Sequence, residues 1–442
     1  MKITIDNRYE KGNIKPLHCV NNGPIHKEGD QARSNLEYFK EAGIPYARNH
    51  DASFFSTYGG SHTVDVNFIF PDFSADPYDP KNYDFDFTDM YNKRIMLAGT
   101  KVFYRLGTKI EHGIKKYGTR VPENFKKYAI ICEHIIRHMN EGWANGTCLG
   151  IEYWEIWNEA NYCWDGDDFD VGNPETNSCW QGTPNEFFNF YSTVACHLKE
   201  CFPSLKIGGP AHAGINEKWL EGFFNHLTKD GTRVPLDFFS WHIYEKTPED
   251  VMALGDKAQK FLDKYGYTEA ENILDEWNYV SSWSGEGFTN SIKTIISMKG
   301  AAFTAACMAK GQESPLDMMM YYDAAPAIWN GMFDYYTVKP LKGYYPFVFF
   351  NKLYKMGTCI ESSSDDENIY TVAARSKKGK IGIMVSYYTN EENMPEKTLT
   401  LPGFLISGKV FLLDDEHNAE EIGDLWENSI TMKPNTVIYI EK

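Results

Sequence analysis

What this 442-residue chain lacks narrows its chemistry first. Its nine cysteines, at Cys19, Cys132, Cys148, Cys163, Cys179, Cys196, Cys201, Cys307 and Cys359, are odd in number and show no Cys-x-x-Cys spacing. Structural disulfides are therefore not expected, and a reducing, cytoplasmic setting is. Cys163 and Cys179 flank a polar loop and are the pair placed to bridge, an option that a reducing compartment disfavours. No apolar stretch approaches the ~18 residues of a membrane span, and the first ten residues hold no apolar core of a signal peptide. GxGxxG and Walker patterns are absent, so no nucleotide-phosphate turn is marked. HxH and HExxH spacings are also absent, which argues against a metal-dependent hydrolase built on His50, Asp51 and His242. No internal repeat or low-complexity segment stands out. Positive charge is short, with 44 Lys and Arg against 61 Asp and Glu, a net of −17. A field of that sign discounts nucleic acid and anionic membrane surfaces as partners.

Aromatic residues are abundant instead, at 15% of the chain with 28 Tyr, 28 Phe and 11 Trp. Most serve a large core, and the excess suits a site where flat rings stack on sugar faces. Between residues 16 and 323, apolar strand-like runs alternate with helix-like segments. The strand candidates are 16–21, 46–51, 102–107, 153–159, 205–210, 238–244, 273–278 and 318–323. Runs apolar on both faces belong to parallel sheets covered by helices. Helix signals punctuate them. The segment 30–42 stops at Gly43. The segment 122–141 opens with Pro122 and carries Phe125, Tyr128, Cys132, Ile135 and Met139 as one stripe. Thr183-Pro184-Asn185-Glu186 is a capping box, and Thr247-Pro248 starts another helix that Gly266 closes.

Eight such units predict an α/β fold, a (β/α)8 barrel over 13–345 with long loops. After about residue 350 the pattern changes to short β runs at 369–375, 381–388, 398–401, 409–413, 429–432 and 436–440. These predict an antiparallel β-sandwich formed by 346–442 together with 1–12.

Chemistry in such a barrel is expected at the C-terminal strand ends. Strand four ends in Trp154-Glu155-Ile156-Trp157-Asn158-Glu159, and strand seven in Ile273-Leu274-Asp275-Glu276-Trp277-Asn278. Two carboxylates facing one pocket are the minimum equipment for cleaving a glycosidic bond. Glu159 is the expected general acid/base and Glu276 the expected nucleophile. Asn158 would hydrogen-bond a sugar 2-hydroxyl, Tyr244 would donate to Glu276, and Arg48 would hold Glu276 ionised. His242 would partner Glu159 or the substrate. His50, Trp329 and Trp277 complete the expected substrate contacts. Glu155 reads as structural, inside the barrel beneath the site, and Asp275 as pointing away from the side of Glu276. No metal and no cofactor are expected.

These motifs resemble those of the clan A glycoside hydrolases, most closely glycoside hydrolase family 39, the β-xylosidase and α-L-iduronidase family. The pieces that carry the resemblance are 154–161, Ser240-Trp241-His242-Ile243-Tyr244 and Asp275-Glu276-Trp277-Asn278. Ala160 stands where the family often has Pro. Asp275 and Trp277 stand where it usually has Thr or Ser and Phe or Tyr. The long acidic loop 165–181 is a further departure. The resemblance implies a retaining enzyme acting on a small oligosaccharide or glycoside, β-xyloside first, and a homo-oligomer is compatible with it. A transglycosylase of the same clan and a non-catalytic carbohydrate-binding barrel are the alternatives.

Overall fold

Eight short strands close on themselves as a parallel barrel: Cys19–Asn21, Tyr46–Arg48, Lys101–Leu106, Tyr153–Ile156, Lys206–Ala213, Phe238–Glu245, Glu271–Tyr279 and Met318–Tyr321. All eight expected runs contribute one strand each. Closure is made by the first and last, with Cys19 opposite Met320 and Val20 opposite Tyr321. The computed structural model describes residues 1–26, 33–53, 62–172 and 177–442. Parts of the expected helix 30–42 and of the acidic loop 165–181 fall outside the described residues.

The two-residue period of each strand sorts its side chains into two cores. Cys19, Phe103, Tyr153, Phe238, Ile273, Met318 and Met320 point inward and plug the barrel. Their neighbours Val20, Val102, Trp154, Phe239, Leu274 and Met319 point outward into the layer beneath the helices. One step further along the strands the inward positions turn polar: Asn21, Arg48, Arg105, Glu155, Ser240 and Asp275, each 0% exposed. The barrel is therefore dry at one end and charged at the other.

The helices start where their caps dictate. Thr183 and Glu186 exchange both bonds of the capping box at Pro184–Cys201. The Thr247 side chain caps Pro248–Lys264. The segment expected to open at Pro122 begins later, as Phe125–Glu141, because the Asn124 side chain accepts from the Lys127 amide and fixes the N-terminus there.

The remaining strands form a seven-stranded antiparallel sheet in the order Ile3–Asn13, Thr358–Ser364, Ile369–Arg375, Ile381–Tyr387, Thr436–Glu441, Lys409–Leu413, Asn418–Asp424. Two of these were not expected. Asn418–Asp424 is an exposed acidic edge strand without apolar alternation, and Thr358–Ser364 is serine-rich. The sheet's two faces are separated by residue parity. Tyr370, Val372, Ala374, Met384, Val437 and Tyr439 join the barrel's own core. Ile369, Ala373, Ile383, Val385, Ile438 and Ile440 face a second core. That second core also takes Leu399 and Met432 from the ribbon of Lys397–Thr400 and Ser429–Met432. The helix Met298–Glu313 lies against the sheet, where the Ser386 hydroxyl donates to the Ala302 carbonyl at 2.8 Å. Cavities of about 200 and 270 Å³ lie between this helix and the sheet, and neither is lined by residues of the site described next. No helix among the described residues is long and apolar enough to cross a membrane.

Candidate active site

Glu159 reaches the barrel mouth because its strand stops early. Strand four was expected to run to residue 159, but it ends at Ile156, and Trp157 and Glu159 take φ of 75° and 50°. Two left-handed residues without glycine are a local strain that the surroundings must enforce. Several bonds enforce it here. The Glu159 amide donates to the Ala211 carbonyl at 2.8 Å, and Trp157 to Leu106 at 2.9 Å. Asn161 clamps the Ala213 backbone through both its amide groups, each at 2.9 Å. Strands four and five can approach this closely because Gly209 has φ of 136° and no side chain. A Cβ there would meet the Ile156 carbonyl oxygen at 2.8 Å.

Glu276 reaches the same mouth through a β-bulge. Trp241 pairs with Leu274 and His242 with Glu276, so Asp275 is an extra residue in strand seven. A bulge re-aims side chains, and this one turns both Asp275 and Glu276 inward. The expectation that Asp275 points away from its neighbour's side is thereby corrected. Its carboxylate lies 3.1 Å from Arg48 Nε and 3.5 Å from His242 Nε2. The same shift sends Trp277 outward. It is fully buried against Phe303 and Tyr321, so it is a core residue and not a substrate contact.

The bulge and the broken strand bring the two carboxylates together. One oxygen of Glu159, one of Glu276 and one ring nitrogen of His242 all lie within 4.8 Å of one another. His242 Nδ1 is 2.8 Å from Glu159 Oε1 and 3.6 Å from Glu276 Oε2. The Tyr244 hydroxyl donates to Glu276 Oε1 at 2.5 Å. Arg48 spans the floor. It donates to Glu155 at 2.7 Å, Asn158 Oδ1 at 2.7 Å, Asn21 Oδ1 at 3.1 Å and Glu276 Oε2 at 3.3 Å. Asn158 thus has its oxygen held, and its amide nitrogen is buried without a hydrogen-bond partner among the described residues. Trp329 is half-buried, 5.3 Å from Tyr244 by ring centroid, and its carbonyl accepts from Asn278 at 2.9 Å. His50 is buried beside Asp51 at 3.7 Å.

Burial and charge act against each other throughout. Burial pushes Glu276 up, His242 and Arg48 pull it down, and the nearby Glu159 adds to the rise, leaving it at about 7. Arg48 alone therefore does not secure its ionisation, as the sequence had implied. Burial pushes His242 down, but Glu276 and Asp275 outweigh it and hold the imidazole protonated well above its usual range. Asp275 would be raised by burial, yet Arg48 and His242 bring it to about 2. Glu155 is pushed well above the carboxylate range by burial, against the pull of Arg48. It accepts from the Ser240 hydroxyl at 2.6 Å. His50 is kept neutral by burial and by the charges of Arg48 and Arg105.

Several participants were not among the expected site residues. Ser240 and Asn21 support the floor. Cys179, at the end of the acidic loop, brings its Sγ to 3.9 Å from Glu159 Oε2, while its carbonyl accepts from Trp157 Nε1 at 2.9 Å. Cys163 and Cys179 are both free thiols. Beside the mouth, Tyr322 donates to Asp51, and Asp323 accepts from Asn22 at 3.2 Å. Trp283, 61% exposed, stands 5.2 Å from Tyr244 and 5.7 Å from Trp329. Strand parity from the end of each strand would have flagged Ser240 and Asn21. The loop residues carry no such signal.

Residues 117–278 match the profile of glycosyl hydrolases family 39. A β-xylosidase of Caldicellulosiruptor saccharolyticus is 30% identical over 123 residues, 28% of this chain and 22% of that protein. A β-xylosidase of Geobacillus stearothermophilus is 23% identical over 290 residues, 57% of this chain and 52% of that protein. The matches thus span about half or less of the curated relatives' own lengths. A solved glucosidase from Croceicoccus marinus superposes with a TM-score of 0.75 at 21% identity, covering 100% of this chain and 98% of that one. Through residues 117–278 this chain is similar to glycosyl hydrolases family 39, on a barrel-and-sheet fold shared with the solved glucosidase.

Proposed function

We propose that the protein is a retaining glycosidase that releases terminal sugars by double displacement, with β-xylosides as its first substrate class. The observation that carries this is the approach of the Glu159 and Glu276 oxygens to within 4.8 Å, about one imidazole nitrogen. Retaining enzymes hold their carboxyl groups ~5–5.5 Å apart, whereas inverting ones leave ~6.5–9.5 Å for a water. Glu276, oriented by Tyr244 and Arg48, attacks the anomeric carbon and forms a covalent glycosyl-enzyme. Glu159 gives a proton to the departing oxygen and then takes one from the incoming water. The free Asn158 amide donates to the sugar's 2-hydroxyl, a contact that strengthens as positive charge develops at the ring. His242 lies between the two carboxylates, so its charge offsets whichever of them is ionised at each step. Asp275 and Glu155 set the charge of the floor. Trp329 offers a flat face beside Tyr244 for stacking.

The xyloside reading draws on the names of the sequence relatives, and the glucosidase likeness makes glucosides the competing class. A panel of nitrophenyl glycosides discriminates them: the proposal expects the highest kcat/KM on the β-xyloside. NMR of the first-formed sugar tests the mechanism, with the β-anomer expected from a β-glycoside. Initial release of the α-anomer would reject double displacement.

A further inference from the structure

Away from the barrel mouth, two neighbouring helices bring together three metal-ligating side chains that the proposed reaction does not use. We propose that Glu133, His197 and Cys201 form a surface site for a soft divalent cation, Zn²⁺ in the first instance, that staples the helices Phe125–Glu141 and Pro184–Cys201. One donor atom from each lies within 4.8 Å of the other two. His197 Nε2 is 2.7 Å from Glu133 Oε2 and 3.8 Å from Cys201 Sγ. His197 and Cys201 are one helical turn apart, so both present to one side of their helix.

Tetrahedral Zn²⁺ with bonds of about 2.0–2.3 Å needs donor separations of ~3.3–3.7 Å. The nitrogen–sulfur distance is already close to that. The nitrogen–oxygen pair must open by about half an ångström, a small rotation for half-buried side chains. Imidazole, thiolate and carboxylate together are a donor set that suits Zn²⁺, and a fourth position is left for water.

The surroundings are built in the same sense. Arg137 donates to the other oxygen of Glu133 at 2.8 Å and is itself held by Glu141 at 2.6 Å and by the Phe202 ring at 5.0 Å. A ligating carboxylate fixed in this way by an outer partner is usual for metal sites. Cys201 closes its helix, whose negative dipole end favours a cation. Burial and Glu133 raise the Cys201 thiol, so metal must displace a proton, and loading should increase with pH.

The test uses the whole protein, stripped with a chelator and then equilibrated with ZnCl₂. Elemental analysis should find one tightly held zinc per chain. His197→Gln and Cys201→Ser should each lose it, while Cys196→Ser, an exposed thiol on the same helix, and Glu159→Gln should keep it. CoCl₂ in place of zinc should give a thiolate-to-cobalt absorption band that disappears in Cys201→Ser and His197→Gln and persists in Cys196→Ser. Zinc should also raise the thermal midpoint of the wild type and not of Cys201→Ser. No bound zinc in the wild type, or undiminished zinc in both His197→Gln and Cys201→Ser, overturns the proposal. Because Glu159→Gln is inactive in sugar cleavage yet retains the cation in this account, failure here and failure of the glycosidase reading are separable.

Discussion

At the residue scale, Glu276 is governed by opposed fields whose balance has a measurable sign. Its folded value near 7 lies above the ordinary 4.5. The folded state therefore binds an extra proton between those limits. The stability this contributes is complete below pH 4.5 and is lost as pH rises to about 7. His242 acts in the same sense: its contribution is full below 6.5 and is lost only as pH passes its raised value. Urea midpoints should fall more steeply with pH across 4.5–7 in the wild type than in Glu276→Gln. Parallel slopes would show that burial does not raise this carboxyl. The nucleophile must be ionised to attack, so the acidic limb of kcat/KM should also sit near 7.

At the same scale, part of the site is legible in the sequence. Arg48, Asn158, Glu159, His242, Tyr244 and Glu276 stand at strand ends that counting alone could locate, and the fold gathers them at one mouth. Trp277 was misplaced because the strand period breaks at Asp275. Glu133, His197 and Cys201 were invisible, because only helix packing brings residue 133 beside residues 197 and 201. Removing the charge on the floor tests its burial. Arg48→Met should lower stability by about 3–5 kcal/mol, since three buried acids, Glu155, Asp275 and Glu276, lose their cation. Chemical denaturation measures this, and a loss under 1 kcal/mol would contradict it.

At the scale of elements, the ends of strands and helices do the positioning. The capping box at Thr183 was legible as a four-residue pattern because its mechanism is local. Thr183→Ala should cost about 1 kcal/mol while leaving kcat within a factor of about two, because the cap bonds backbone groups of its own helix and touches neither catalytic carboxylate. The bulge at Asp275 was not legible, since the same residues fit a regular strand equally well until strand six is paired beside it. Asp275 supplies its extra residue. Deleting it should leave Glu276 inward, directly after the outward Leu274 and opposite His242, but remove the carboxylate that Arg48 and His242 share and draw Glu276 back along the strand, lowering kcat while the far-ultraviolet spectrum is retained. Undiminished kcat in the deletion variant would show that the bulge does not aim the carboxylate.

At the scale of the whole molecule, barrel and sheet share one core. Tyr370, Val372, Met384, Val437 and Tyr439 pack into the same cluster as the barrel helices. The eight-strand order was readable from alternation, but this continuity was not, because it depends on which sheet face meets the helices. A fragment ending at Met356 should therefore fail to fold, and the full chain should unfold in one thermal transition. A soluble, cooperatively melting fragment would contradict the shared core. The barrel's purpose, in this account, is to hold Glu159 and Glu276 on opposite sides of one sugar. Azide rescue tests that most directly. Glu276→Ala supplied with azide and an activated β-xyloside should yield the α-xylosyl azide, and Glu159→Ala the β-xylosyl azide. Undiminished hydrolysis by either variant, or the same azide from both, would contradict the account.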